Sequence, residues 1–243
     1  MLIKGLQKLT LLDFPGRIAC TVFTGGCNMR CPFCHNADLV LPTDDGRISV
    51  DELLAFLDSR VGRLQGVCIS GGEPTLHPDL PLLLRAIKSR GFETKLDTNG
   101  TNPEMLLALI GEGLVDYVAM DIKNSPPRYP ETAGLSAECR VQNAECRVQN
   151  AELILDKVKQ SAEILMQNRV DYEFRTTLMR ELHSEEDIRA IGEWLRGDEK
   201  YFLQTYRDEG ELLVGGFTPF TSEETTNLLA TLREYIPNAE IRS

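Results

Sequence analysis

The chain has 243 residues, 42% hydrophobic and 26% charged, enough to bury roughly 70–75% of the surface its unfolded form exposes without disulfide staples. Lys and Arg number 26 against 37 Asp and Glu, a net charge of −11, which argues against the basic field of a nucleic-acid binder. No apolar run approaches the roughly 18 residues of a membrane span. The N-terminal MLIKGLQKLTLLDFPG also lacks the apolar core and small-residue cleavage site of a signal peptide, so a cytoplasmic protein with no nucleic-acid or membrane partner is expected.

Short β-branched or apolar runs alternate with amphipathic segments along the chain. A strand at 18–23 leads, after a long connection, to a helix at 50–61 that Ser49 opens. Next come a strand at 66–70, a helix at 79–90, a strand at 92–96 and a helix at 103–111 behind Asn102-Pro103. A strand at 115–120, a helix at 151–168 and a strand at 170–177 follow. Ser184-Glu-Glu-Asp opens a helix at 184–196, and a strand at 200–204 and a helix at 222–235 close the series. Six strands, each followed by a helix, predict an α/β fold with a parallel sheet. Right-handed crossovers would curl six such units into an open, partial (β/α)6 TIM-like barrel, in one domain spanning 1–243. A flat doubly wound sheet is the alternative on pattern alone. Both place the chemistry beyond the C-terminal ends of the strands.

One stretch breaks the pattern. AECRVQN stands at 137–143 and again at 144–150. Ala137, Val141, Ala144, Val148, Ala151, Leu155, Val158, Ala162 and Leu165 continue as a heptad stripe into the helix before the fifth predicted strand. A seven-residue unit keeps an apolar face in register with only about 20° of drift, so the duplication is expected to lengthen that helix by about 21 Å. A disordered insertion after NSPPRYP is the alternative. Deleting 137–143 is expected to leave activity intact.

Seven cysteines, at 20, 27, 31, 34, 68, 139 and 146, are an odd number in a chain with no export signal, which argues for thiols with a metal or catalytic task. Cys20 and Cys68 fall within predicted strands and read as small buried hydrophobes; Cys139 and Cys146 belong to the repeat. Cys27, Cys31 and Cys34 instead form C-x3-C-x2-C directly after the first predicted strand, and three soft sulfurs on one loop suit zinc, copper(I) or an iron–sulfur cluster. A closed zinc site would take His35 as its fourth ligand, awkwardly, because His35 adjoins Cys34. A [4Fe–4S] cluster would keep one iron without a protein ligand, which is the mark of a reactive site.

Five further strand ends carry polar groups. Ser70-Gly71-Gly72-Glu73-Pro74 offers bare backbone, carbonyls and a carboxylate, suited to an ammonium group or to an ordinary glycine turn. Asp97-Thr98-Asn99-Gly100 could hydrogen-bond ribose hydroxyls or make an Asx turn. Met120-Asp121-Ile122-Lys123 places a charged pair where a strand-end salt bridge would also fit. Arg175 would aim its guanidinium fork at a carboxylate, and Gln204 ends the last predicted strand. His77 and His183 precede helices and give no functional signal.

Taken together these motifs resemble the radical S-adenosylmethionine (radical SAM) superfamily. The resemblance implies that Cys27, Cys31 and Cys34 bind a [4Fe–4S] cluster whose open iron is chelated by S-adenosyl-L-methionine, reductively cleaved to a 5′-deoxyadenosyl radical. It further implies that Gly71, Gly72 and Glu73 hold the cofactor's amine and that Asp97 and Asn99 contact its ribose. Asp121 and Lys123 would lie near cofactor and substrate, and Arg175 would face the methionine carboxylate. Phe33 and His35 would approach adenine through their backbone, with a solvated or supporting role as the alternative for His35; Gln204 would touch adenosine or substrate peptide. Within the superfamily the chain is most similar to the anaerobic ribonucleoside-triphosphate reductase activating proteins. The residues that carry this are Gly5-Leu6-Gln7-Lys8, Leu12-Asp13-Phe14-Pro15-Gly16, Cys27-Asn-Met-Arg-Cys31-Pro-Phe-Cys34-His-Asn36 and Tyr172-Glu-Phe-Arg-Thr-Thr177. The implied substrate is a glycine near the C-terminus of a large partner reductase, with reduced flavodoxin or ferredoxin as electron donor. Activation of pyruvate formate-lyase or another glycyl-radical enzyme is the second enzymatic reading. A zinc-stabilised, non-catalytic binding module is the reading from another class.

Overall fold

The computed structural model describes residues 1–34, 36–40, 47–135, 151–207 and 213–242. In chain order the elements are β1 (Ile3–Thr10), β2 (Ala19–Thr24), α1 (Ala37–Val40), α2 (Val50–Asp58), β3 (Gly66–Gly71), a 3-10 turn (Pro74–Leu76), α3 (Leu80–Lys88), β4 (Glu93–Thr98) and α4 (Pro103–Gly111). They continue with β5 (Tyr117–Asp121), α5 (Tyr129–Thr132), α6 (Ala151–Leu165), β6 (Asp171–Leu178), α7 (Glu185–Trp194), β7 (Tyr201–Thr205), α8 (Ser222–Arg233) and β8 (Glu240–Arg242). The duplicated heptads and His35 lie outside the described residues.

All six predicted strands are present, as β2 to β7. Two more flank them, so the six-strand expectation is corrected to eight among the described residues. β1 pairs antiparallel with β2, with irregular register at both ends; its polar, loosely alternating IKGLQKLT carries little strand signal. β8 pairs parallel with β7 over three residues, too few for any periodicity. The strands follow one another in the sheet from β1 to β8 without reversal. A doubly wound sheet needs a reversal; a sequential order with crossovers of one hand puts the helices on one face and curls the sheet into a partial barrel. No helix among the described residues is long and apolar enough to cross a membrane.

Start signals read from sequence work as local physics demands. Ser49 with Glu52, and Ser184 with Asp187, form capping boxes for α2 and α7, and the Asn102 side chain accepts from the Met105 N–H ahead of Pro103 in α4. Each relieves helix N–H groups that have no partner within the helix.

The period-2 alternation of the strands sorts two faces. Leu96, Val118, Met120 and Phe174 belong to the apolar core shared with helices. The other face carries Lys95 and Asp97 on β4, Tyr117 and Asp121 on β5, and Glu173, Arg175 and Thr177 on β6, an unusually polar barrel interior. Its floor is plugged from the Leu12-Asp13-Phe14-Pro15-Gly16 turn. Phe14 is buried against Tyr117 with ring centroids 6.2 Å apart, and Gly66 leaves room for it, since a Cβ there would lie 2.7 Å from its ring. The Thr21 hydroxyl donates to Asp13. Above the plug, Glu173 accepts from the Tyr117 hydroxyl at 2.8 Å and from both terminal nitrogens of Arg242 at 2.6 and 2.8 Å, tying β8 to β6 and β5.

Candidate active site

At the opposite end, a cavity of about 190 Å³ opens above the C-terminal ends of β2 to β6. Cys27, Cys31 and Cys34 line it, with Phe33 on the same loop. That loop leaves β2 through Gly25-Gly26 and is pinned from many directions. Gly25 N–H donates to Leu2 (3.0 Å) and Gly26 N–H to Leu39 (2.6 Å), while Arg30 N–H donates to Ala133 just after α5 (3.1 Å). The Arg30 guanidinium donates to the carbonyls of Cys27 (2.5 Å) and Met29 (2.8 Å). Val214 N–H reaches the Pro32 carbonyl at 2.9 Å, and Phe217 meets Phe33 edge-on at 6.4 Å. His77, which sequence left without a role, donates from Nε2 to the Gly25 carbonyl at 3.0 Å.

Burial pushes all three thiols up, Cys27 to about 11, Cys31 to about 12 and Cys34 in the same direction, while the Lys123 ammonium pulls each of them down. Burial thus favours the protonated thiols, so metal loading must displace protons. Among the described residues no three His, Cys, Asp or Glu side chains close on a single ion-sized point. Cys27, Cys31 and Cys34 together line one side of a cavity that could take a larger group. With Met29 N–H donating to Cys27 Sγ at 3.4 Å and the Asn99 amide 3.9 Å from the same sulfur, these residues fit an iron–sulfur group.

Gly71 and Gly72 also line the cavity, but the reason both positions are glycine is the protein itself. Gly71 has φ +110°, and a Cβ on it would sit 2.5 Å from the Thr24 carbonyl oxygen; one on Gly72 would sit 2.7 Å from the Gly26 carbonyl carbon. Gly72 N–H donates to Thr24 and Glu73 N–H to Gly26, each at 2.8 Å, so the bare backbone packs directly on the base of the cysteine loop. The Glu73 carboxylate is fully buried and does not line the cavity. It accepts from Thr75 N–H (3.0 Å), the Thr75 and Thr98 hydroxyls (2.6 and 2.8 Å) and Asn99 N–H (2.7 Å). Burial raises its pKa against the pull of those donors. Glu73 locks the glycine loop to the end of β4, and only the loop's backbone is offered to the cavity.

The end of β4 serves two readings at once. Asn99 lines the cavity, its Oδ1 accepts from Thr101 N–H in an Asx turn (3.1 Å), and its amide donates to Asn28 at 2.9 Å. Asp97 and Asp121, expected at strand ends, are strand residues with side chains in the interior. Arg175 meets two carboxylates already in the protein, with Nε 2.5 Å from Asp121 and a terminal nitrogen 3.5 Å from Asp97. Its fork is therefore held between β4 and β5 while it lines the cavity. Lys123 pairs with Asp121 at 2.8 Å and lies 5.9 Å over the Phe33 ring. Burial works against the charge of Asp121, but Arg175 and Lys123 overcome it and hold that carboxyl well below its usual range.

Gln204 does not reach the cavity. It sits on β7 opposite Thr177, one strand beyond the rim, and accepts from the Thr177 hydroxyl at 3.5 Å. Cys20 and Cys68 are fully buried core thiols. Sequence reasoning missed His183, which is buried, accepts Met179 N–H on Nδ1 (3.2 Å) and donates from Nε2 to the Lys123 carbonyl (2.9 Å). Its contact lies sixty residues away along the chain, so no local signal announces it. Met29, Asn36, Val40, Ser70, Thr98 and Thr177 complete the missed lining; all but Val40 stood inside quoted motifs.

This geometry can be set beside known proteins. Residues 21–181 match the model of the radical SAM superfamily. The chain belongs to that superfamily. A Methanocaldococcus jannaschii relative assigned as a glycyl-radical enzyme activating enzyme is 32% identical, over 100% of this chain and 96% of its own length, which places the chain among those activating enzymes. The pyruvate formate-lyase-activating enzyme of Clostridium pasteurianum is 33% identical over 50% of this chain and 52% of that one. Among solved structures, a radical SAM methyltransferase from Sphaerobacter thermophilus superposes with a TM-score of 0.68 over 96% of this chain and 68% of that one, at 17% identity, a likeness of fold. Radical SAM enzymes use a [4Fe–4S] cluster and S-adenosylmethionine, and the matched span contains the cysteine loop, the glycine loop, Asp97, Asp121, Lys123 and Arg175.

Proposed function

We propose that this radical SAM enzyme activates an anaerobic ribonucleoside-triphosphate reductase by generating a glycyl radical on it, with a reduced flavodoxin or ferredoxin as electron donor. The observation that carries the reading is the convergence of three thiols, the pinned glycine loop and the Asp121–Lys123–Arg175 group on one open cavity. In this reading Cys27, Cys31 and Cys34 hold the cluster. The Gly71-Gly72 backbone, Asp97, Asn99 and Asp121 hold S-adenosylmethionine, with Phe33 and His35 beside its adenine. When bound, the cofactors supply a carbon-centred radical that takes hydrogen from the partner's glycine. The protein's own work is orientation. Arg175 fixes Asp97 and Asp121 relative to each other, Lys123 brings positive charge toward the sulfurs, and the buried Glu73 bracket keeps the glycine loop and β4 in register. The resemblance in Gly5-Leu6-Gln7-Lys8, Leu12-Asp13-Phe14-Pro15-Gly16 and Tyr172–Thr177 favours the reductase as target. The pyruvate formate-lyase-activating relatives favour the second reading, activation of a formate-lyase.

The test is anaerobic reconstitution with iron and sulfide, reduction by dithionite, and S-adenosylmethionine cleavage measured as 5′-deoxyadenosine. The reductase and pyruvate formate-lyase are then supplied separately, and a glycyl radical is sought by EPR. A radical on the reductase is expected. A radical on the formate-lyase alone would overturn the target, and tight zinc with no cofactor cleavage would overturn the enzyme reading.

A further inference from the structure

A closed ring of three side chains joins the cysteine loop to the end of β4. Asn99 Nδ2 donates to Asn28 Oδ1 (2.9 Å), Asn28 Nδ2 donates to the Thr101 hydroxyl (2.8 Å), and that hydroxyl donates to Asn99 Oδ1 (2.7 Å). The main chain fixes the direction of the ring. Thr101 N–H, which can only donate, also reaches Asn99 Oδ1 at 3.1 Å. The oxygen of the Asn99 amide therefore lies toward Thr101 and its nitrogen toward the cysteine loop. Asn99 is buried, and Glu73 holds its main-chain N–H at 2.7 Å, so backbone and side chain are both pinned.

One amide hydrogen is left over. Asn99 Oδ1 accepts two bonds and Nδ2 gives one hydrogen to Asn28, which spends every polar position of the side chain except the second hydrogen. Asn99 lines the cavity, and its Nδ2 lies 3.9 Å from Cys27 Sγ, a residue 72 positions away in the chain. Met29 N–H reaches the same sulfur at 3.4 Å. A neutral thiol is a weak acceptor at such distances. A thiolate bound to iron carries charge and accepts more strongly. Asn28 follows Cys27 directly in sequence, so the residue that holds the amide in place is tethered to the sulfur the amide meets.

We propose that Asn99 donates a hydrogen bond to the Cys27 thiolate of the bound cluster, that Asn28 is the positioning residue that aims it, and that the pair raises the cluster's reduction potential. Negative charge on the sulfurs grows when the cluster takes up an electron, so a donor there stabilises the reduced state more than the oxidised one. The proposal rests on the assignment of the three cysteines to a [4Fe–4S] cluster. It narrows the part of Asn99 in holding S-adenosylmethionine to packing along the cavity wall, because its amide hydrogens are taken.

The test needs no turnover. Wild type, Asn99→Ser, Asn28→Leu and the double variant are reconstituted anaerobically without S-adenosylmethionine and titrated with dithionite under potential control, with reduced cluster followed by EPR. Serine keeps an oxygen for the Thr101 N–H and removes the amide. Both single variants are expected to titrate at more negative midpoints. The double variant is expected to shift no further than Asn99→Ser, because Asn28 acts through Asn99. Protein grown with asparagine carrying 15N in its side-chain amide supplies a second readout. Pulsed EPR of the reduced cluster should show a 15N coupling in wild type that Asn99→Ser loses and Asn28→Leu weakens, which a merely structural role would not produce. An unchanged midpoint in Asn99→Ser, or no 15N coupling in wild type, would overturn the proposal while leaving the cluster assignment standing. Additive shifts in the double variant would remove Asn28 from its positioning role. A wild type that holds no [4Fe–4S] cluster would overturn the assignment itself. Should the variants lose their iron, the wild-type 15N coupling decides alone.

Discussion

Gly72→Ala separates the two explanations of the glycine pair. If Gly72 is bare only so that a ligand can approach, alanine costs affinity and leaves the empty protein intact. The geometry says otherwise. A Cβ would lie 2.7 Å from the Gly26 carbonyl carbon where ordinary contact begins near 3.4 Å, so the two backbones must part by at least about 0.7 Å. That movement strains the Gly72–Thr24 and Glu73–Gly26 hydrogen bonds, both 2.8 Å, worth about 1 kcal/mol each. Overpacking a fixed backbone adds about 1–3 kcal/mol. A total near 4 kcal/mol corresponds to a fall of about 10 °C in Tm for a chain of this size. Because Gly26 precedes Cys27, the same displacement moves a thiol, and iron retained after reconstitution should fall with it. Calorimetry and urea titration of the metal-free protein, with iron analysis after loading, measure both. Gly111→Ala at the end of α4, with nothing near its Cβ position, serves as the steric control and is expected to stabilise by about 0.5–1 kcal/mol. A Gly72→Ala variant that melts with wild type and retains full iron would refute the packing argument.

Glu73→Ala strands the Thr75 and Asn99 N–H groups and the Thr98 hydroxyl, and is expected to cost about 3 kcal/mol in the metal-free protein; a loss of cofactor affinity with an unchanged urea midpoint would instead restore Glu73 to the cavity. Cys31→Ala is expected to abolish S-adenosylmethionine cleavage while the metal-free fold, probed by circular dichroism, survives; wild-type cleavage by that variant would overturn the cluster assignment. Burial lowers the pKa of His183 below its ordinary value of 6.5. Above pH 6.5 neither folded nor unfolded state holds its proton; below it the unfolded state protonates first, so stability falls with pH by up to about 1.4 kcal/mol per unit until the folded pKa is reached. Urea midpoints between pH 7.5 and 5.5 should show this slope, and His183→Gln should flatten it; an equal slope in the variant would assign it to other groups.

What sequence made legible was whatever is local. Strand and helix positions, the Ser49, Asn102 and Ser184 starts, the three cysteines and the polar strand ends all follow from neighbouring residues. Observed strands end one or two residues later than predicted, which changes the meaning of Asp97 and Asp121 from loop groups to interior strand groups already facing partners. Roles fixed across the fold were not legible. The glycine pair looks the same whether its backbone meets a ligand or Gly26. Glu73 looks available until Thr98 and Asn99, from the next strand, are placed against it. His77 and His183 serve carbonyls 52 and 60 residues distant.

The charges inside the barrel form one ladder, and its sign bears on the chemistry. Lys95 pairs with Asp97, Asp97 with Arg175, Arg175 with Asp121, and Asp121 with Lys123. Three cations against two carboxylates leave a surplus of one positive charge. Burying such a chain is costly, and a well-packed apolar interior of equal volume would serve stability as well or better. The surplus makes sense for a site that must hold an anion. A [4Fe–4S] cluster on three thiolates is anionic when oxidised and more so when reduced, and Lys123, the end of the ladder nearest the sulfurs, already acts on all three thiols. Locked between Asp97 and Asp121, Arg175 would keep those carboxylates from opposing the reduction of a cluster held by the three cysteines. The same lock leaves Lys123 with a single carboxylate partner, Asp121, which Arg175 shares and partly neutralises. Positive charge is thereby directed upward, toward the cysteine loop, rather than spent within the floor of the barrel.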